Sequence, residues 1–274
     1  MAVISANGVD LHVERMAARG TAEGTTPPIV VFVHGMLVDS LVTYYFTLAP
    51  SFAAAGIEVI MYDLRGHGRS ERLARGYTLD DFVDDLDALL DKLAVTEPVH
   101  LVGNSYGGTI AFSYAAHRPD RVASVSAIES EPATRAWSRK MATNLRRASV
   151  EFAREDLHER LTEQHGPHVS RRLRSASRLL NSSTMAQDLP ASHVLDEEQI
   201  RSLRCPVLAI YGSESELAAQ APWLRSLLPD CRTVVVPGQE HWVLMGATQL
   251  VSNLITAWIR GHHQVARTPD VGSQ

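Results

Sequence analysis

Short apolar segments alternate with longer amphipathic ones along this chain of 274 residues. Near the N-terminus, Val9, Leu11 and Val13 alternate with polar residues, which predicts a strand with one buried and one exposed face. Four further segments are continuous apolar runs rich in β-branched residues, a pattern typical of strands covered on both faces. These runs span residues 28–33, 58–62, 99–102 and 122–128.

Helical periodicity fills the spaces between these strands. Residues 79–94 place Phe82, Leu86, Leu89 and Leu93 on one face of a predicted helix. The alternation resumes late in the chain, with strands predicted at 206–211 and 233–236 and helices near 216–228 and 243–260. Because strand–helix–strand units use right-handed crossovers, we expect an α/β fold built on a mostly parallel, doubly wound sheet with helices on both faces.

Residues 131–195 interrupt this alternation. Their apolar positions have helical spacing throughout, and positions 131–180 carry ten Arg and one Lys against six acidic residues. This pattern predicts an all-helical insertion. We therefore divide the chain into a core at residues 1–130 and 196–262, the insertion at 131–195 and a flexible tail at 263–274.

Composition narrows the functional classes. Hydrophobic residues make up 45% of the chain and charged residues 21%, the usual balance of a globular protein, and the formal net charge of −5 disfavours a nucleic-acid partner. No stretch reaches the roughly 18 apolar residues of a membrane helix, and the N-terminus has no signal-peptide pattern. We expect a cytoplasmic protein that does not bind membranes. Its two cysteines, Cys205 and Cys231, are expected to be reduced.

The sharpest chemical motif is Gly103-Asn-Ser105-Tyr-Gly107, which follows a buried strand and precedes a helix predicted at 109–117. A serine on such a tight strand-to-helix turn projects its hydroxyl from the carboxyl edge of the sheet. Backbone N–H groups at the start of the helix can stabilise negative charge that develops there. Ser105 is therefore the candidate nucleophile.

A serine nucleophile needs a base, because its free hydroxyl reacts poorly. His241 lies in the loop between the last predicted strand and the last predicted helix, from which its ring can reach the serine. The oxyanion hole is expected to use two backbone N–H groups. One belongs to Tyr106, directly after the nucleophile, and the other to Met36, which follows the strand at 28–33.

The remaining histidines have simpler interpretations. His158, His165 and His168 lie in the insertion, but Gly166-Pro167 breaks their helical spacing and no acidic or cysteine ligand accompanies them. We interpret them as solvated surface residues. We expect no metal site and no cofactor.

The order of these motifs resembles the α/β-hydrolase superfamily. It comprises His34-Gly-Met36, Asp63-Leu-Arg-Gly-His-Gly-Arg-Ser70, Gly103-Asn-Ser-Tyr-Gly-Gly108 and Gly238-Gln-Glu-His241. The resemblance covers nearly the whole chain except the insertion. It implies an eight-stranded sheet, a Ser105–His241–acid triad, and a helical lid formed by the insertion after the sixth strand.

The acid is the point at which the sequence departs from the common family pattern. Many members place an Asp three residues after the glycine that ends strand seven, but Gly212-Ser-Glu-Ser215 has a serine there. Glu214 and Glu216 flank that position and are one solution. The other is Glu129 at the end of strand six, 24 residues after Ser105. This arrangement resembles zearalenone-type lactone hydrolases and some haloalkane dehalogenases, and we favour Glu129 as the acid.

The type of nucleophile limits the reaction. A serine at position 105, where an aspartate would be needed, argues against dehalogenase and epoxide hydrolase chemistry and leaves acyl transfer to water. We expect a medium-sized hydrophobic carboxylic ester or lactone as substrate. The candidate pocket residues are Trp137, Met141, Leu145, Met185 and Trp242.

Two alternatives stay open at the level of sequence. The first is a discrete thioesterase of polyketide or fatty-acyl metabolism, whose acyl carrier protein or acyl-CoA would be attracted by the net charge of +5 at 131–180. The second is a non-hydrolytic ligand-binding member of the fold, which the missing Asp after strand seven favours. The same scaffold carries several functions, so the fold does not decide between them.

Overall fold

A computed structural model describes residues 2–22 and 24–263 of the chain. The predicted flexible tail lies outside the described residues apart from His263. Within the described ranges, no helix combines the length and the apolar character required to cross a membrane.

Eight strands form one sheet in the order β1-β2-β4-β3-β5-β6-β7-β8. The strands are β1 (Ala2–Ala6), β2 (Val9–Met16), β3 (Ile29–Val33), β4 (Glu58–Tyr62), β5 (Val99–Asn104), β6 (Val122–Ile128), β7 (Val207–Gly212) and β8 (Cys231–Val236). The pairs β1–β2 and β2–β4 are antiparallel, and all other neighbours are parallel. The predicted eight-stranded, mostly parallel sheet is confirmed.

Helices cover both faces of the sheet. They are α1 (Val42–Tyr45), α2 (Ala49–Ala54), α3 (Leu79–Lys92), α4 (Tyr106–His117), α5 (Arg135–Glu151), α6 (Glu155–His165), α7 (Pro167–Ser182), α8 (Met185–Asp188), α9 (Glu197–Arg201), α10 (Gln220–Leu227), α11 (Val243–Gly246) and α12 (Thr248–His262). The apolar run of β3 explains the layering. Val31 and Val33 join the core under α3 and α4, whereas Val30 and Phe32 join the core under α2 and α12. A strand buried on both faces needs apolar residues at every position.

The helix predicted at 79–94 begins and ends close to the expected residues. Thr78 caps its N-terminus, because the Thr78 side chain accepts from the Asp81 N–H while the Asp81 carboxylate accepts from the Thr78 N–H. Phe82, Leu86 and Leu89 are fully buried beneath it. This capping box and the apolar face fix the helix against the sheet.

Helices α5 to α8 occupy the segment that the sequence identified as an insertion. They follow β6, so the segment leaves the sheet at its carboxyl edge. Trp137 and Leu145 of α5 are buried in the same core cluster as α3 and α4. The first helix of the insertion therefore packs directly on the body of the protein, next to the edge where parallel strands end.

Candidate active site

Ser105 lies on a sharp turn between β5 and α4. Its backbone has φ 51° and ψ −120°, a strained conformation for a residue with a Cβ atom. The Ser105 N–H donates to the Ile128 carbonyl at 2.8 Å, which ties the turn to the neighbouring strand β6. Helix α4 begins at Tyr106, three residues earlier than predicted, so the Tyr106 N–H is the first of the helix and has no helical acceptor.

The glycines of the motif allow this turn to form. A Cβ atom on Gly107 would lie 2.0 Å from the Val33 carbonyl oxygen, and one on Gly103 would lie 2.3 Å from the Gly107 carbonyl carbon. Backbone atoms cannot move aside as a flexible side chain can. Strand β3, the turn and helix α4 therefore approach as closely as they do only with glycine at both positions.

We expect Gly107→Ala to lower the free energy of unfolding by about 3 kcal/mol or more, because the new methyl group overlaps the backbone of β3. Gly261→Ala in α12 is the matched control, since a Cβ atom there meets nothing within 4 Å. Urea unfolding of both variants measures the difference. Equal stability of the two variants would contradict the close approach described here.

Three side chains meet at the carboxyl edge of the sheet. The Nε2 atom of His241 lies 3.1 Å from Ser105 Oγ, and its Nδ1 atom lies 3.1 Å from Glu129 Oε2. The Glu129 side chain is fully buried, whereas 49% of the His241 side chain is exposed. Such an arrangement can supply a nucleophile, a base and a carboxylate that orients the base.

The Glu129 carboxylate is held from β7. The Gly212 N–H donates to Oε1, and the Ser215 hydroxyl donates to Oε2 at 2.6 Å. The Glu129 backbone has φ 49°, and its N–H donates to the Ile210 carbonyl at 2.8 Å. The left-handed backbone at the end of β6 thus turns this side chain towards His241.

The alternative acids are placed differently. The side chains of Glu214 and Glu216 are exposed, while the oxygen 3.1 Å from His241 Nδ1 belongs to Glu129. Ser215 occupies the position at which many superfamily members carry an aspartate, and its hydroxyl contacts the same Glu129 oxygen that faces the histidine. Ser215 was not predicted to be a partner of the acid, although its place in the Gly212-Ser-Glu-Ser215 motif was the available signal.

The oxyanion hole was predicted to use the N–H groups of Met36 and Tyr106. Met36, Ser105 and Tyr106 all line one cavity. The N–H groups on either side of Met36 are engaged elsewhere, since Gly35 donates to Asp39 Oδ2 at 2.8 Å. Leu37, with φ 67°, donates to a histidine ring nitrogen.

Two buried histidines brace this loop reciprocally. His67 Nε2 accepts the Leu37 N–H at 2.8 Å, and His34 Nε2 accepts the Leu64 N–H at 2.9 Å. Each ring's Nδ1 atom lies near a backbone carbonyl oxygen, at 2.8 and 2.6 Å. An Nε2 atom that accepts must be unprotonated, so both rings are neutral with the proton on Nδ1.

Burial and, second, the neighbouring His34 lower the pKa of His67 from its usual 6.5 to about 3. Because the folded-state pKa is depressed, the neutral ring contributes stability above pH 6.5, and this contribution is lost as the pH falls towards 3. The brace therefore persists through the neutral pH range in which a serine–histidine pair works.

We expect His67→Ala to lower kcat by about 10- to 100-fold with little change in KM, because the Met36 N–H would lose its fixed direction. His67→Gln, which offers an acceptor oxygen, should recover part of the loss. The exposed His168→Ala is the control. Ester kinetics and melting temperatures test this together. A rise in KM at unchanged kcat would contradict the positioning role.

The cavity above Ser105 has a volume of about 240 Å³. Of the five predicted pocket residues, Trp137 and Met141 line it, and the Trp137 ring stacks near Tyr106 at a centroid distance of 6.3 Å. The described lining does not include the other three. Leu145 and Met185 are buried in the core beneath the insertion, and Trp242 is 66% exposed at the surface.

The cavity is also more polar than the sequence analysis expected. Its lining includes Thr109, Ser130, Glu131, Lys140 and Glu216. Glu216 was already a candidate as an alternative acid, whereas the other four carry no motif, so periodicity gave no signal for them. The predicted lining residues were all apolar, whereas the cavity has both polar and apolar walls.

The histidines of the insertion are only partly as predicted. His168 is exposed, but His158 is buried, so the prediction of a surface position was wrong for His158. Its Nε2 atom lies 2.8 Å from the Phe152 carbonyl oxygen at the end of α5, which satisfies a polar atom in the interior. Among residues 2–22 and 24–263, no group of three or more His, Cys, Asp or Glu is arranged to hold a metal ion.

The sequence matches a known protein family. A family model described as alpha/beta hydrolase fold matches residues 28–248. The chain belongs to the α/β-hydrolase family. The match extends from β3 to the start of α12 and so contains Ser105, Glu129 and His241.

Relatives of this α/β-hydrolase include enzymes of known activity. It is 29% identical over 249 residues to the 2-(acetamidomethylene)succinate hydrolase of Mesorhizobium japonicum, covering 85% of this chain and 88% of that protein. It is 30% identical over 236 residues to the pimeloyl-[acyl-carrier protein] methyl ester esterase of Chromobacterium violaceum, covering 78% and 87%. The similarity supports hydrolase activity.

Solved structures give the same fold. The enol-lactonase from Burkholderia xenovorans LB400 superposes with a TM-score of 0.74 at 20% identity, covering 94% of this α/β-hydrolase and 100% of that chain. Identity at this level establishes the fold alone.

Proposed function

We propose that this α/β-hydrolase is a serine hydrolase that cleaves a carboxylic ester or lactone through an acyl-enzyme on Ser105. The observation that carries the proposal is the continuous contact from Ser105 Oγ through both ring nitrogens of His241 to the buried Glu129 carboxylate. A serine in such a chain becomes a nucleophile at neutral pH.

In the first half-reaction, Ser105 Oγ attacks the carbonyl carbon while His241 Nε2 takes the hydroxyl proton. The N–H groups of Met36 and Tyr106 bind the oxygen that becomes negative, and each such donor contributes about 3 kcal/mol to transition-state stabilisation. The tetrahedral intermediate collapses, and His241 returns the proton to the leaving oxygen. Glu129 stabilises the imidazolium that forms between these two steps.

In the second half-reaction, water replaces the leaving group. His241 Nε2 removes a proton from the water as its oxygen attacks the acyl carbon, and the same proton returns to Ser105 Oγ when the acid is released. The half-exposed His241 ring lies where water can approach it. For a lactone the leaving oxygen stays attached to the acyl group, so one molecule of hydroxy acid is released.

The helical insertion supplies one wall of the cavity in this proposal. Trp137, Lys140 and Met141 all belong to α5, and each lines the space above Ser105. We therefore propose that residues 131–195 act as a lid that sets substrate choice, with Trp137 and Met141 contacting the apolar part of the substrate. The volume of about 240 Å³ fits a small ester or lactone.

Intact-mass analysis after treatment with a fluorophosphonate tests the proposal. We expect one adduct on the wild-type chain and no adduct on Ser105→Ala. A folded wild-type protein that takes up no probe would contradict an activated serine and would favour the ligand-binding alternative. An adduct that persists in Ser105→Ala would place the reactive group elsewhere.

A further inference from the structure

Charged side chains are unevenly distributed around the cavity. Among the residues that the structure describes, its lining contains three carboxylates, from Glu129, Glu131 and Glu216, and a single ammonium group, from Lys140. Glu129 is committed to His241, whose ring gains a positive charge during the reaction. The remaining charges are therefore two carboxylates and one ammonium group.

Lys140 bridges two loops of the core. It projects from α5 and forms a close ion pair with Glu131, which follows β6. Its Nζ atom lies 3.8 Å from an oxygen of Glu216, which follows β7. The Glu131 side chain is 10% exposed and that of Lys140 is 30% exposed, whereas Glu216 is 80% exposed at the rim.

One ammonium group neutralises one carboxylate. Since the tighter and more buried partner of Lys140 is Glu131, the charge that stays uncompensated is that of Glu216 at the entrance. A substrate carboxylate that approached Lys140 would also approach Glu131 and Glu216. It would compete with Glu131 for the ammonium group and be repelled by both acids.

We propose that Glu131, Lys140 and Glu216 determine substrate charge: the site takes esters or lactones that are neutral or carry an amine, and it rejects those that carry a carboxylate. This inference rests on the proposed function. One uncompensated charge a few ångströms from the substrate, partly screened by water, should change kcat/KM by about tenfold.

Two pairs of esters of matched shape test the proposal. Monomethyl succinate and methyl 4-methylpentanoate differ by a carboxylate in place of an isopropyl group. Methyl 3-aminopropanoate and methyl butanoate differ by an ammonium group in place of a methyl group. We expect the kcat/KM of the anionic ester to be about tenfold lower than that of its neutral partner. The kcat/KM of the cationic ester should equal or exceed that of methyl butanoate.

The two pairs separate charge from simple hydration. If desolvation of an ion governed selection, both charged esters would be disfavoured. The proposal would be overturned if both charged esters had a lower kcat/KM than their neutral partners. It would also be overturned if monomethyl succinate and methyl 4-methylpentanoate had equal kcat/KM. Raising the salt concentration from about 0.05 to about 0.5 M should also weaken the discrimination against the anionic ester, because the Debye length becomes shorter.

Substitution of the entrance acid gives a second test. Glu216→Gln should lower the ratio of kcat/KM for the neutral ester to kcat/KM for the anionic ester by at least about threefold. Glu163→Gln, a substitution at an exposed position of α6, should leave kcat/KM unchanged for both esters. An unchanged ratio in Glu216→Gln would overturn the assignment. If no ester is hydrolysed and Ser105 takes no probe, the proposed function itself fails and this inference fails with it.

Discussion

Ser105→Ala is expected to lower kcat for any ester substrate by at least about 10⁴-fold, with the fold and melting temperature preserved. The change removes the hydroxyl oxygen that lies 3.1 Å from His241 Nε2, so no acyl-enzyme can form. Residual turnover would come from the oxyanion hole acting on water. Steady-state kinetics after stringent purification measures the loss.

The matched control for this experiment is Ser226→Ala, an exposed serine on α10. It should retain wild-type turnover, which separates loss of the nucleophile from any effect of handling. If kcat of Ser105→Ala were within about tenfold of the wild-type value, an acyl-enzyme on this residue would be excluded.

Glu129→Ala is expected to lower kcat by about 10⁴-fold with a small effect on KM. The carboxylate fixes the His241 tautomer and stabilises the imidazolium, and both effects operate mainly in the transition state. The exposed Glu214→Ala should leave kcat within a factor of about two. A large loss in Glu214→Ala with normal turnover in Glu129→Ala would reverse the assignment of the acid.

A second substitution makes the Glu129 prediction sharper. Ser215 Oγ already lies 2.6 Å from the Glu129 oxygen that faces His241, so a carboxylate at position 215 would reach the same place. We expect kcat of the double variant Glu129→Ala/Ser215→Asp to be at least about tenfold higher than that of Glu129→Ala alone. Ser215→Asp alone would put two carboxylates together and should lower activity. No recovery in the double variant would show that position 215 cannot substitute for the acid.

The sheet was predictable because its strands have a recognisable hydrophobic pattern in the sequence. Continuous β-branched runs such as 28–33 need two covered faces, and β3 is buried at all five of its positions. The start of α4 was less predictable. Tyr106-Gly-Gly has poor helix propensity, yet the helix begins at Tyr106 because the glycines permit close packing on β3 and on Ser130, which follows β6.

The residues of the candidate site also fall into those that the sequence predicts and those that it does not. Residues in motifs with fixed spacing, Ser105 and His241, were found from the sequence alone and meet in the structure. Glu129 was found because its strand ends at the same sheet edge as β5. The reciprocal His34–His67 brace joins two loops that are distant along the chain, and the Glu131–Lys140 pair joins a loop residue to a helix residue nine positions later. Neither contact follows from hydrophobic periodicity.

The anchoring of Glu129 has a consequence for how such an enzyme can diversify. The groups that donate to its carboxylate, Gly212 N–H and Ser215 Oγ, belong to β7 and the loop after it, and Ser105 N–H is tied to β6. The reacting groups thus take their positions from the sheet, while α5 contributes wall residues. Under the proposal that residues 131–195 form a lid, exchange of this segment between related chains would alter which molecules enter without disturbing the proton transfer itself. New specificities would then arise by replacing one contiguous segment.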